Sequence, residues 1–312
     1  MTAVNETSSN ESVAVETPFR RFVSDYAESK VAVFGAVGVL IVVLIAVLGP
    51  SIAPTNPYDL ATVTIMDGKL APGKSLMNGQ VAYLGTDGAG RDLLSSMIYG
   101  MRISLGVGVG SGVIALFIGC GLGLVAAYFG GRVDAVIMRI VDIQLSFPAI
   151  LVALILLAVI NLGPNAGSFA AIAKIIVALV VVQWAYYART IRGTALVERR
   201  KEYVEAASCL ALSNRRVLFK HLLPNCIAPI IVVGTMQTAH AISLEATLSF
   251  LGLGLPQTEP SLGKLISNGF EYVMSGKYWI SVYPGLALLF MIVSINLVGD
   301  RMRDVLNPRL QK

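Results

Sequence analysis

Residues 31–48 read VAVFGAVGVLIVVLIAVL, an unbroken apolar run without one charged side chain. A bilayer core about 30 Å thick needs about 20 mostly apolar residues in helical form, so this stretch predicts a membrane span. Working outward, comparable runs occupy 103–129, 143–162, 169–187, 227–251 and 279–298. Thr235, Gln237, Thr238, His240, Ser243 and Glu245 interrupt the fifth run without shortening it. The expectation is an all-α polytopic membrane protein with six transmembrane helices. Composition agrees: 55% of the 312 residues are hydrophobic and only 14% charged, against roughly 25% charged in soluble chains. A mean hydropathy of +0.72 also excludes disorder, collagen and a coiled coil, none of which combines so much apolar mass with so little charge.

The net charge of +5 reads as sidedness, and no nucleic-acid partner is expected from it. With the N-terminus taken as cytoplasmic, 17 of the 24 Lys and Arg fall on inner segments, eight of them between 188 and 224. Lys69, Lys74, Arg91, Arg102, Lys174, Lys264 and Lys277 fall outside. Positive residues stay inside, so both termini are expected in the cytoplasm. Residues 1–17 are polar and acidic without apolar period, as in a disordered tail. Pro54 follows the first span where a signal peptide would need a cleavable small residue, so that span is expected to be retained. Cys120, Cys209 and Cys226 form no disulfide or zinc pattern.

Two motifs mislead. Residues 68–75, GKLAPGKS, fit the phosphate-loop pattern letter for letter. That loop works by joining a buried strand to a helix whose amides face the phosphates; here no apolar strand precedes it and Asn78-Gly79 follows it. The glycosylation patterns at Asn5 and Asn10 lie in the expected cytoplasmic tail. The glycines of the second span, from Gly106 to Gly123, include pairs four apart, a spacing that lets another helix backbone approach closely. Whether that helix belongs to this chain or another is open at this stage.

The segment 188–224 is far longer than ordinary connections between bundle helices. Residues 198–210 read as a helix in which Lys201 and Glu205 pair four apart and Tyr203, Ala206, Ala207 and Leu210 share one stripe. A second short helix is expected from Ser213 as N-cap to His221, ahead of Pro224. Two readings fit: insertion into a groove of a soluble partner, or a basic loop lying on anionic lipid.

Residues 202–207, EYVEAA, followed by 222–225, LLPN, resemble the EAA loop of permeases of ATP-binding-cassette importers. Arg20-Arg21-Phe22, Leu84-Gly85-Thr86-Asp87, Gly90-Arg91-Asp92, Leu145-Ser146-Phe147-Pro148 and Leu244-Glu245 are similar to the dipeptide/oligopeptide/nickel branch, specifically its second, C-type permease subunit. The resemblance runs from Pro18 to near the end. It implies the type I importer permease fold and a bacterial inner (plasma) membrane location. The implied partners are a second, paralogous permease in a heterodimer, two ATPase subunits, an extracytoplasmic solute-binding protein and membrane lipid. It implies no catalysis and no cofactor in this subunit, with ATP used by the partners. The substrate expected is a di- or oligopeptide, with nickel or another small solute as the alternative within the family and an ion-coupled secondary transporter as the alternative outside it.

The chain then divides into a cytoplasmic tail (1–17), an N-terminal segment with the first membrane helix (18–60), an extracytoplasmic loop with an interfacial helix (61–102), a core of five membrane helices (103–299) containing the coupling loop 188–224, and a C-terminal tail (300–312). In the implied coupling helix Glu205 anchors, and Tyr203, Ala206, Ala207 and Leu210 make the buried contact with the ATPase. Ala211 stands where the family usually has glycine, so Ala211→Gly is expected to retain ATPase coupling, measured as transport by the assembled complex. Within the spans, ionisable groups are costly and default to function. Glu245 fits three roles: holding a cationic group of a solute, an outer gate, or a structural hydrogen bond. Asp142 and Pro148 join Glu245 as candidates for the translocation path or gate; Asp142 is also expected to pair locally with Arg139, Pro148 to kink the third span, and Pro284 to open the sixth. Leu93, Leu94, Met97, Ile98 and Met101 suggest an interfacial helix ahead of the second span.

Overall fold

The computed structural model describes residues 18–59, 63–160, 167–210, 212–256 and 259–306. The expected tail 1–17 and Ala211 lie outside these. Among the described residues, five helices are long and apolar enough to cross a membrane: α2 (Lys30–Ile52), α3 (Leu93–Phe129), α6 (Ser168–Glu198), α10 (Ile227–Phe250) and α12 (Trp279–Val305). The pair α4 (Gly131–Ser146) and α5 (Ala149–Val159), bent by 94°, brings the number to six when it is counted as one broken span. The short α1 (Pro18–Ala27), α7 (Glu202–Cys209), α8 (Asn214–Arg216), α9 (Leu223–Asn225) and α11 (Leu262–Phe270) lie between or beside them.

The bend replaces the mild kink expected at Pro148. A residue before proline is pushed out of the helical region, and Phe147 sits extended at φ −95°, ψ 142°. Pro148 itself takes φ −57°, ψ 125°, so two successive residues leave the helix and α5 restarts in a new direction. Pro284 does not open the last span; α12 begins at Trp279 and carries the proline one turn in.

Small residues decide which helices meet. On α2 the buried positions are Ala32, Gly35, Gly38, Val42, Ala46 and Gly49, a three-and-four spacing that forms one face. A Cβ on Gly38 would lie 2.2 Å from the Ser294 hydroxyl of α12, while Val31, Phe34, Leu40 and Val47 on the other faces are exposed, as suits lipid. The glycines of α3 find their partners within this chain. Gly119 would bring a Cβ within 2.3 Å of the Trp184 carbonyl, and Gly123 within 2.4 Å of that of Ala188, both on α6; Gly108 packs on Ile242 of α10. Gly106 and Gly121 face open space.

Two boundaries differ from the sequence expectation. α3 starts at Leu93, and Leu93, Met97, Ile98 and Met101 are buried, so the expected interfacial helix is instead the protein-covered first turns of the span. α6 runs eleven residues beyond the expected end at 187, because Ala188, Ile191 and Ala195 continue its contact face against α3. Likewise residues 300–305 are the last turns of α12 rather than a tail.

The segment 63–92 is held by polar contacts. β1 (Lys74–Ser75) and β2 (Val81–Ala82) form a small antiparallel hairpin, so the phosphate-loop lookalike leads into a strand and not a helix. Asp87 accepts from the Arg91 guanidinium at 2.8 Å and from the amides of Ala89 and Arg91. Asp92 caps α3 through the Ser95 amide and hydroxyl. Between them Gly90 has φ +89°, and a Cβ there would meet the Thr64 carbonyl at 2.1 Å, which is why this turn requires glycine.

Candidate functional site

At the basic end of the bundle, α6 stops at Glu198 and the chain turns through Arg199-Arg200-Lys201 into α7. Glu198 organises the turn: its carboxylate accepts from Lys201 Nζ at 2.7 Å and from the Tyr203 hydroxyl at 2.8 Å. The expected Lys201–Glu205 pair is therefore absent, since Lys201 reaches back rather than forward. Burial, reinforced by the Glu198 carboxylate, pushes the Tyr203 phenol up to about 12, so at neutral pH it remains a donor.

The two sides of α7 have different destinations. Val204 and Ala207, each 4% exposed, pack with Val217, Leu222 and Cys226 and with Tyr187 and Ile191 of α6, and Tyr203 lies against the same cluster. Glu205, Ala206 and Leu210 are exposed, Leu210 at 75%. The expected single stripe is thus split: Tyr203 and Ala207 anchor the loop to its own bundle, and Glu205, Ala206 and Leu210 face outward. The residue that sequence reading missed is Val204; its burial on the Ala207 face follows from the three-residue spacing.

After α7 the chain forms the expected second helix, but it does not end at His221. Residues 214–216, a π-helical turn at Val217–Leu222, and α9 run on towards α10. Pro224 cannot donate an amide and would clash with the carbonyl four residues back. Widening the preceding turn removes that conflict, and Asn225 Nδ2 donates to the His221 carbonyl at 2.7 Å. The C-terminal end of α3 grips both sides of the loop. Arg199 donates to the Ala127 carbonyl at 3.0 Å, and the Tyr128 hydroxyl lies 2.8 Å from Asn214 Oδ1.

The eight cations of this region divide in the same way. Arg192 pairs with Asp134 of α4 (Nε to Oδ1, 2.8 Å) and Arg189 pairs with Asp142. Asp142 therefore ties α4 to α6 across helices instead of pairing with Arg139. Arg215, Arg216 and Lys220 are exposed and make no ion pair among the described residues.

Near the opposite end, Glu245 is fully buried. Its two oxygens accept from Ser104 of α3 and Ser249 of α10, each at 2.7 Å. The carboxylate thus joins α3 to α10 and is closed off from the surface; Asp142 and the exposed Pro148 are not brought near it by any of these contacts. Glu245→Leu will leave two buried hydroxyls without their acceptor and cost about 2 kcal/mol, whereas Glu245→Gln keeps an acceptor oxygen and will cost less. Thermal unfolding of the purified subunit in detergent measures both.

A second outward feature lies on α10. Met236, His240, Ser243, Thr247 and Phe250 follow helical spacing and are exposed or half-buried, while Gln237, Ala241, Leu244 and Leu248 face inward. A partly polar stripe on a membrane helix is poorly suited to lipid and suits a partner helix or a wet path. The sequence contained the signal, in the three-and-four spacing of its polar residues, but it read only as interruptions.

The family described as binding-protein-dependent transport system inner membrane component matches residues 119–312. The chain belongs to this family. The match opens inside α3 and takes in α7 and all that follows, and the N-terminal transmembrane domain of oligopeptide transport permease C matches residues 17–72, which hold α1 and α2. Among curated relatives, the di/tripeptide transport system permease protein DppC of Pseudomonas aeruginosa is 35% identical, over 98% of this chain and 97% of its own length. The dipeptide transport system permease protein DppC of Escherichia coli K12 is 39% identical over 95% of each chain. Among solved structures, an inward-facing MetNI methionine ABC transporter superposes on 68% of this chain and 96% of its own with a TM-score of 0.54 at 21% identity. This likeness establishes the type I importer permease fold. The permease is a multi-pass membrane protein and a component of an ATP-binding-cassette importer.

Proposed function

We propose that this permease forms half of the translocation path of an ATP-driven importer of short peptides in a bacterial inner membrane, with both termini in the cytoplasm. It pairs with a second, paralogous permease, receives solute from an extracytoplasmic binding protein, and leaves ATP hydrolysis to two ATPase subunits. The observation that carries the reading is the two-sided α7: one side is packed into the inner ends of α3 and α6, and the other presents Glu205, Ala206 and Leu210 to a partner. A displacement of the outward side is transmitted through Val204 and Ala207 to the long helices, because close-packed interiors move as bodies rather than deforming locally. ATP drives transport to the extent that it binds the two states of the assembly with different free energy.

The peptide substrate is supported by curated relatives at 35% and 39% identity that carry di/tripeptides and dipeptides in their names. The path wall on this subunit is the partly polar stripe from Met236 to Phe250 of α10. Glu245 lies one helical face away and shapes the wall by holding α3 and α10 together. The test is uptake of a labelled dipeptide by proteoliposomes holding both permeases, the ATPases and the binding protein. Uptake that requires enclosed or added ATP supports the reading, and uptake driven by an ion gradient without ATP overturns it.

A further inference from the structure

Where the segment after α2, α3, α6 and the segment before α11 meet, at the end opposite α7, they line a cavity of about 300 Å³ bordered by Tyr58, Tyr99, Arg102, Gly106, Ile176 and Glu259 among others. Its chemistry is unlike that of the surrounding apolar helices. Glu259 is only 7% exposed, and one of its carboxylate oxygens accepts from the Tyr58 hydroxyl at 2.7 Å. Its other oxygen accepts from no described side chain, and the Arg102 guanidinium on the same cavity pairs with no carboxylate among the described residues. The Tyr58 and Tyr99 rings meet edge to face at 5.4 Å and make a rigid aromatic wall. Burial and the Glu259 hydrogen bond hold the Tyr58 phenol protonated, so it remains a donor to the carboxylate. A buried carboxylate and an exposed arginine bordering one cavity, neither in an ion pair among the described residues, suit a ligand that carries both an ammonium and an anionic oxygen.

We propose that this cavity binds the zwitterionic main chain of a short peptide on its way into the path. Glu259 takes the α-ammonium, Arg102 the α-carboxylate, and the tyrosine pair with Ile176 a peptide side chain. The inference rests on the peptide-importer reading. The volume is at the lower end for small-molecule sites and matches a di- or tripeptide rather than a longer chain. A phosphatidylethanolamine headgroup carries the same pair of charges, so the two sources must be separated by experiment.

The assembled importer is reconstituted in vesicles of phosphatidylcholine and phosphatidylglycerol, and labelled without binding protein by the photoreactive dipeptide benzoylphenylalanyl-alanine. Labelling is expected on Tyr58, Tyr99 or Ile176, displaced by free dialanine and not by N-acetyl-dialanine amide. Gly106→Leu grows a side chain on the cavity wall, where a Cβ meets nothing within 4 Å. Glu259→Gln keeps an acceptor for Tyr58 and removes the charge. Each is expected to cut labelling and ATP-dependent dialanine uptake about tenfold, the share of one charge-assisted hydrogen bond, with subunit assembly and peptide-independent ATPase activity retained. Labelling elsewhere, equal competition by the capped peptide, loss of labelling on adding phosphatidylethanolamine, or loss of assembly in Gly106→Leu overturns the cavity assignment. Failure of the wild-type assembly to take up dialanine with ATP overturns instead the importer reading.

Discussion

The double variant Glu205→Arg, Ala206→Trp will fold and insert but lose its ATPase subunits. Both side chains are on the outward side of α7, so neither change touches the cluster of Val204, Ala207, Val217 and Leu222. A reversed charge and a large ring in a fitted groove together cost about 3 kcal/mol or more of association, roughly 100-fold in affinity. Copurification of ATPase with the tagged permease will fall accordingly and uptake will drop to background, while the thermal unfolding of the permease alone stays within a few degrees of wild type. Retention of the ATPase at wild-type stoichiometry would contradict the assignment. Ala207→Trp gives no equivalent test: Ala207 is 4% exposed inside the permease, so a tryptophan there overpacks the loop's own anchor and removes transport by deforming the subunit.

Gly123→Leu will remove the folded subunit, and Gly121→Ala will not. These two glycines are two residues apart on α3, yet a Cβ at Gly123 falls 2.4 Å from the Ala188 carbonyl and 2.3 Å from Ile191 Cγ2, whereas at Gly121 it meets nothing within 4 Å. The Ala188 carbonyl is backbone, so no rotamer change relieves the clash and α3 and α6 must separate. That separation also exposes the buried anchor of α7, and a loss of about 3 kcal/mol or more is expected. Gly121→Ala adds helix propensity worth up to about 1 kcal/mol without a contact to lose. Folded yield and unfolding temperature in detergent, compared between the two variants, decide the matter.

Much of the fold was legible because the bilayer imposes it. Helices of fixed minimum length with satisfied backbones are the available solution for apolar runs such as 31–48 and 279–298, so span number and order followed from hydropathy. Local polar chemistry was less legible. Lys201 had two carboxylates within helical reach, Glu198 and Glu205, and the turn that ends α6 gave it to Glu198. Asp142 likewise had Arg139 one turn away on its own helix but pairs with Arg189 of α6. The apolar stripe of the coupling helix could be recognised from spacing, but not which of its residues would be consumed by the chain itself.

By itself, the sequence determined a six-span helical membrane protein, its resemblance to an importer permease, and the segment through which such a permease would meet an ATPase. These follow from length, hydropathy, charge placement and motif, all properties of neighbouring residues along the chain. Only the tertiary structure decided that the α3 glycines serve α6 and α10 of this chain, that α7 has an anchored and an outward side, and that Glu245 is held by hydroxyls from α3 and α10. Tyr58, Arg102 and Glu259 came to line one cavity in the same way. The physical reason is that burial and pairing depend on which faces of distant helices meet. In a membrane that choice is made by small-residue contacts and buried hydrogen bonds, which the hydropathy of any one helix does not encode.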